Sequence, residues 1–301
     1  MDGLLIVDKP SGITSHDVVA RVRRILKTRR VGHTGTLDPF ATGVMVILVG
    51  RATRLAQFLD KDEKEYEALI SFGLETDTGD RTGVRSAECG LRSEEIGELI
   101  ANANWPELFS EFLGEIEQVP PMYSAKKIAG KKLYEHARKG VEVERQPITV
   151  NIREINVINN ASPTPRSALR IRVVCSAGTY IRTLAEDIGK KLGTRAHLAE
   201  LRRTRAGRFG IDQGITFDEL EKLNDPAERL LPLNEAVAHL SPVTLSDDRA
   251  EATKNGMSTR LDQAQFTNGD TVRMLDASGD LLAIGIYDAS ENSIRPKVVL
   301  V

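Results

Sequence analysis

The sequence predicts a mixed α+β chain on a central sheet, antiparallel or mixed, followed by a small β-rich unit. Three observations carry this. Strand-like and helix-like stretches mix without the steady βαβ period of a doubly wound parallel sheet. Residues 64–73, KEYEALISFG, place Tyr66, Ala68, Ile70 and Phe72 on one face at strand spacing. After Leu240 the texture changes to short strand candidates, with turn signals at Asn268-Gly269 and Ser278-Gly279.

Taken in chain order, LLIVD at 4–8 reads as a short buried strand. Ser15 is placed to cap a helix over 16–28, with Val18, Val19, Val22, Ile25 and Leu26 at helical spacing and Arg23, Arg24 and Lys27 on the other side. A glycine-punctuated loop, VGHTGTLDPFATG, covers 31–43, and an apolar strand, VMVILV, follows at 44–49. Residues 93–117 read as acidic surface helices, and 118–147 as a Lys-rich stretch opened by Pro120 and Pro121. Strands are expected at 148–158 and 168–175; in the second, Leu169, Ile171, Val173 and Cys175 alternate with Arg170 and Arg172. A helix over about 179–192 puts Ile181, Leu184, Ala185, Ile188 and Leu192 on its inner stripe.

Composition narrows the function. At 301 residues the chain can bury a real core, and with 41% apolar residues it reads as soluble and globular. No apolar run approaches the roughly 18 residues of a membrane span. The opening, MDGLLIVDKP, lacks the form of a signal peptide. Cys89 and Cys175 show no CxxC spacing, which points away from a disulfide framework and towards a reducing cytoplasm. The net charge of −2 speaks against a globally basic nucleic-acid coat. Its distribution is uneven. Residues 1–59 carry nine basic and four acidic residues, 60–119 five and 16, 120–208 nineteen and seven, and 209–301 eight and 16. Two basic blocks separated by an acidic one permit a polyanion-binding face on a neutral chain. The acidic blocks are expected to face away from such a ligand, except around Tyr66.

The stretch GHTGTLDP at 32–39 sets His33, Thr34, Thr36 and Asp38 within six residues, on glycines that permit tight turns. It fits neither GxGxxG nor GxxxxGK[ST], so a nucleotide-binding loop is a weak reading. Asp38 is either a catalytic carboxylate or an Asp-Pro turn residue, and spacing alone favours the turn. Arg182, in the first turn of an apolar helix, suits a buried carboxylate; its ordinary alternative is a surface pair with Glu186 at i+4. Tyr66 is a core tyrosine or a ring for a planar base. The five histidines show no metal-ligand spacing. The runs AKKIAGKKLYEHARKG (125–140) and AHLAELRRTRAGRF (196–209), with Arg21–Arg30, are solvated helix faces or, taken together, a phosphate-contacting surface.

Six stretches, in order, resemble one family: GLLIVDKPSGITSHDVV, VGHTGTLDPFATGVMVILVGRATRL, KEYEALISFG, QVPPMYSAKKIAGKKLYEHARKG, GTYIRTLAEDIG and AHLAELRRTRAGRF. They run from residue 3 to 209 and are similar to the bacterial tRNA pseudouridine synthases of the TruB type. The resemblance implies a pseudouridine-synthase fold over 1–239, with an RNA-binding insertion at about 120–147, and a PUA-like unit over 240–301. It implies isomerisation of uridine 55 in the TΨC loop of tRNA, with Asp38 as catalytic aspartate, Tyr66 against the target base and Arg182 as the partner of Asp38. It further implies substrate-binding roles for His33, Tyr180 and Leu201, for Lys9 and Pro10 packed close to the site, and for Lys126, Lys127, Lys131 and Lys132 of the insertion. The chemistry oxidises nothing and imports no group, so neither cofactor nor metal is expected. The expected partner is the T-arm of tRNA, with no membrane and no obligatory protein, the chain acting as a monomer. The alternatives are a catalytic subunit of a guide-RNA-dependent pseudouridylation complex, disfavoured by the long insertion, and a non-catalytic tRNA-binding chaperone, which has no need of Asp38 with Tyr66 and Arg182.

Overall fold

The computed structural model of the chain describes residues 1–59, 63–124, 126–128, 130–137, 140–141, 143–158, 166–261 and 266–300; for 127, 128, 131 and 132 it describes the backbone alone. The chain opens with β1 (Gly3–Lys9), α1 (Ser15–Ile25), β2 (Val31–Thr34), β3 (Thr42–Val49) and β4 (Lys64–Phe72). A hairpin, β5 (Leu74–Thr76) and β6 (Arg85–Glu88), leads to α2 (Ser93–Asn102), α3 (Trp105–Ser110) and β7 (Gly114–Gln118). The 120–147 segment holds β8 (Lys127–Ile128), β9 (Lys131–Lys132) and α4 (Leu133–Ala137). Then come β10 (Ile148–Val157), β11 (Ala168–Cys175), α5 (Ile181–Lys191), β12 (Ala196–Ala206), β13 (Phe209–Gly210), α6 (Phe217–Leu220) and α7 (Leu233–Ala236). The final stretch comprises β14 (Ser241–Thr244), α8 (Asp247–Lys254), β15 (Thr259–Arg260), β16 (Thr271–Leu275), β17 (Leu281–Asp288) and β18 (Ser293–Val299).

The central sheet has the order β1-β3-β12-β4-β11-β10-β7, with β2 on β3 and β13 on β12. Among its described pairs only β12–β3 is parallel, where Arg202 and Arg203 meet Thr42 and Gly43. This junction demands a glycine. A Cβ on Gly43 (φ +104°) would sit 2.2 Å from the Arg203 carbonyl oxygen.

One face of the sheet packs Tyr66, Ala68, Ile70 and Phe72 with Val18, Val22, Leu184 and Ile188 of α1 and α5, as the strand and helix spacings require. On the opposite face, Leu4, Ile6, Val44, Val46 and Leu48 of β1 and β3 share a second core with Leu275, Leu281, Ile284 and Val298. These four belong to a five-stranded sheet, β14-β16-β17-β18-β15, which has a small core of its own around Met274, Tyr287 and Ile294.

The remainder of that opposite face, on β4, β10, β11 and β12, is a ladder of ion pairs. Glu63 pairs with Arg153 (3.1 Å) and Arg205 (2.9 Å). Arg172 bridges Glu154 (3.0 Å) and Glu65 (3.8 Å). Arg170 meets Glu200 at 2.9 Å, and Arg202 meets Asp8 at 2.7 Å.

Several local expectations are corrected. The cap of α1 is Thr14, not Ser15: Thr14 accepts from the Asp17 amide and the Asp17 carboxylate accepts from the Thr14 amide, a reciprocal box that Ser15 cannot form. The helix stops at Ile25, and Lys27 takes a positive φ of 49°. The end of 93–117 is not helical; Gly114–Gln118 pairs with β10 as a strand. The run 196–209 is no helix face. It contains the whole of central strand β12, where Arg203 is buried and Arg202 and Arg205 are paired. The acidic block therefore does not stand apart from the basic one, since Glu63 and Glu65 interdigitate with its arginines.

Candidate active site

The loop between β2 and β3 carries Asp38 and is pinned from several sides. Gly35 turns it with φ +73°. The Ser15 hydroxyl donates to the Leu37 carbonyl (3.0 Å) and accepts from its amide (2.9 Å), which explains why it is not free to cap α1. Lys9 is fully buried, and its ammonium donates to the carbonyls of Pro10, Pro39 and Ala41 at 2.6 to 3.1 Å. Burial pulls its pKa down to about 8, with Asp38 opposing. Arg203 donates to the carbonyls of Val44 (2.7 Å), Gly35 (3.1 Å) and Thr36 (3.5 Å).

Arg182 enters from the first turn of α5. Its Nε lies 2.9 Å from Oδ2 of Asp38, and Nη2 donates to Oδ1 at 3.1 Å, a two-point clasp. The rest of the guanidinium donates to the carbonyls of Thr78 and Tyr123, each at 2.9 Å, and Asp80 stands 3.9 Å away. Arg182 is 4% exposed, whereas the Asp38 side chain keeps 31% of its surface accessible. The pair is thus sealed behind the arginine and open in front of the carboxylate. Burial raises the Asp38 pKa, Arg182 opposes the rise, and Asp80 adds to it. The surface pairing of Arg182 with Glu186 does not occur; burial instead raises Glu186 to about 6.

In front of Asp38 is a cavity of about 290 Å³. Tyr66, Tyr180, Leu201 and Lys126 line it together with Asp38 and Arg182. Tyr66 is largely buried, and burial pushes its phenol up while Arg203 pulls it down. Tyr180, just ahead of α5, is held by Gln118, whose side-chain oxygen accepts from its amide (2.9 Å) and whose amide donates to its carbonyl (3.3 Å).

The other candidates lie elsewhere. His33 sits on β2, outside the cavity lining, edge-on to His16 with ring centroids 6.4 Å apart. Burial, then the neighbouring His16, lowers its pKa, and its Nδ1 has no hydrogen-bond partner among the described residues. Lys9 holds the Asp38 loop through its carbonyls rather than lining the cavity, and Pro10, whose carbonyl accepts from Lys9, does not line it either. The side chains of Lys127, Lys131 and Lys132 fall outside the described residues.

Sequence reasoning missed Asp80, Gln118 and the inward role of Arg203. A signal existed for Asp80: TDTGDRTG at 76–83 has the same Gly, Thr and Asp turn chemistry as the loop of Asp38. There Thr78 and Thr82 hydroxyls donate to the Asp80 carboxylate at 3.1 and 2.6 Å.

Comparison with known proteins gives the same picture. Residues 23–181 match the model of the TruB family pseudouridylate synthase N-terminal domain, and 182–238 match the tRNA pseudouridylate synthase B C-terminal domain. The tRNA pseudouridine synthase B of Bacillus subtilis is 40% identical over 100% of this chain and 98% of its own length. That of Bordetella avium is 48% identical over 81% and 97%. Among solved structures, a chain of a Cbf5–Nop10–Gar1 complex superposes with a TM-score of 0.72 at 28% identity, covering 99% of this chain and 85% of that one. A chain of an H/ACA ribonucleoprotein bound to a substrate RNA containing 2′-deoxyuridine gives 0.71 at 26%, with coverage of 99% and 85%. The sheet order, the Asp38 loop and these matches converge: the chain belongs to the TruB family of pseudouridylate synthases.

Proposed function

We propose that the chain isomerises uridine 55 in the TΨC loop of tRNA to pseudouridine, with Asp38 as its catalytic carboxylate. Family membership makes it a pseudouridine synthase, an isomerase acting on tRNA. The observation that carries the finer reading is the clasped Asp38–Arg182 pair, open only towards a cavity walled by Tyr66 and Leu201.

The reaction breaks the N1–C1′ bond, turns the uracil, joins C5 to C1′, and moves the C5 proton while N1 regains one. An ionised carboxylate is required, to attack or to remove a proton. The guanidinium favours that ionised form and holds both oxygens in place, leaving the open side to the substrate. The cavity suits one extruded base, since a base stacked in the folded T-loop must leave the stack to be reached. Tyr66 offers its ring to that base, Leu201 an apolar contact and Tyr180 a second ring. His33, on β2 outside the cavity lining and with its pKa lowered by burial, is assigned by the family motif to filling the place the nucleotide leaves. Contacts to phosphates position the T-arm. The strand arginines Arg170, Arg172, Arg202 and Arg205 already have carboxylate partners. We therefore assign these contacts to the exposed cations Arg23, Lys27, Arg29 and Arg30 at the end of α1, and to Lys126 with the lysines of the 120–147 segment. The setting is the cytoplasm; no helix among the described residues is long and apolar enough to cross a membrane.

The likeness to the Cbf5 chains favours a second reading, a subunit that acts through a guide RNA and protein partners. The experiment that separates the two is incubation of the purified chain alone with a T-arm stem-loop. Pseudouridine at position 55 without a guide supports the first reading. Activity that appears only when guide RNA and partners are added supports the second.

A further inference from the structure

We propose that Arg203 is a positioning residue for the reaction, locking the loop of Asp38 and the ring of Tyr66 into one frame; the proposal rests on the function argued above. Arg203 is 1% exposed, and among the described residues no carboxylate lies within ion-pair distance of it. A charge that deep is costly unless its donors are satisfied. Here they are satisfied by backbone. The Nε donates to Val44 at the start of β3, and the two terminal nitrogens donate to Gly35 and Thr36, three and two residues ahead of Asp38.

Position in the sheet makes this arrangement singular. At Arg203, β12 pairs in parallel with Gly43 of β3 and antiparallel with Tyr66 of β4. The side chain extends beneath the Asp38 loop, and its charge and hydrogen bonding act on the Tyr66 phenol. Lys9 clamps the same loop from its far side, but it does not line the cavity, whereas Arg203 does. Arg203 is thus a direct link between the carboxylate's loop and the ring opposite it. The reaction needs that link. The uracil detaches and turns between these two groups, and a misplacement of about 1 Å at a reacting centre lowers rates by about 100-fold.

The test is a double-mutant cycle on a T-arm stem-loop with wild type, Arg203→Gln, Tyr66→Phe and the double variant, measuring kcat and KM with thermal unfolding alongside. The expected result for Arg203→Gln is a kcat lower by roughly 30-fold or more with KM within about 3-fold of wild type, shrinking to about 3-fold or less in the Tyr66→Phe background. An equal factor in both backgrounds would mean that Arg203 only supports the fold, and it would overturn the proposal, as would an unchanged kcat. If Arg203→Gln does not fold, Arg203→Lys keeps the charge and runs through the same cycle. A wild-type chain that makes no pseudouridine overturns the functional reading and this proposal together; an active wild type with additive losses overturns this proposal alone.

Discussion

β4 and β12 present Tyr66 and Leu201 to the cavity on one face, and on the other they carry Glu65, Arg202 and Arg205 in the ion-pair ladder. The same residue types meet at similar distances on both sides: Arg182 reaches Asp38 at 2.9 Å, and Arg205 reaches Glu63 at 2.9 Å. What differs is the surroundings. Arg182 is buried and has further bonds to two carbonyls, whereas Arg205 and Glu63 are each about 30% exposed. Water and salt screen the second pair, and its contribution is small. In the first, solvent reaches the open side of Asp38 but not the buried Arg182 or Asp80 behind it, so losing one partner leaves a buried charge poorly compensated. Distance therefore does not tell a working pair from a surface one; burial and the number of satisfied donors do.

This contrast is open to attack, starting with the buried side. Asp38→Asn is expected to lower single-turnover pseudouridine formation by roughly 10⁴-fold or more while T-arm affinity stays within about threefold. Arg182→Met is expected to lower the rate by roughly 10²-fold and stability by about 3 kcal/mol, because Asp38 and Asp80 lose their shared cation; urea unfolding measures the second. If only RNA affinity fell, Arg182 would be a phosphate contact. The Asp38 pKa is raised by burial, so its protonation begins at a higher pH than for a free aspartate. The single-turnover rate should accordingly fall as pH falls, with a midpoint above 3.8, and a rate flat down to pH 4 would contradict this.

Weaker effects belong to the surface. Arg29→Glu, in the exposed cluster at the end of α1, is expected to weaken T-arm binding by roughly tenfold at low salt and to flatten the salt dependence. A filter-binding titration at two ionic strengths reads both. Arg172→Ala, in the ladder, should change stability by less than about 1 kcal/mol and turnover by less than twofold. A tenfold loss of turnover there would erase the distinction between the two faces.

Much of the fold was legible where one physical rule acted alone. β4 and β11 alternate over most of their length, broken by the buried Leu69 and Val174, because one face is core and the other carries half-exposed charged pairs, and α5 shows its apolar stripe because one side faces that core. β12 was illegible as a strand because arginines stand on both of its faces. Arg203 points inward to carbonyls and Arg202 outward to Asp8, so no alternation of polarity survives. The cap of α1 was legible in principle, since Thr14 with Asp17 three residues on is a box, but Ser15 is equally cap-competent and only the fold assigns it to Leu37. Of the site, spacing alone favoured a mere turn at Asp38, and the family motifs pointed to its pairing with Arg182. Gln118 could not be read, because it acts on a group 62 residues away and has no local pattern to show it; Asp80 carries a turn signature of its own, but nothing local ties it to Arg182, 102 residues on.

The most direct measurement is the mapping of pseudouridine in tRNA from cells with and without this chain. The expected result is loss confined to position 55 of the T-loop, restored by the wild-type chain and not by Asp38→Asn. Retention of pseudouridine at that position, or loss at other sites instead, would contradict it.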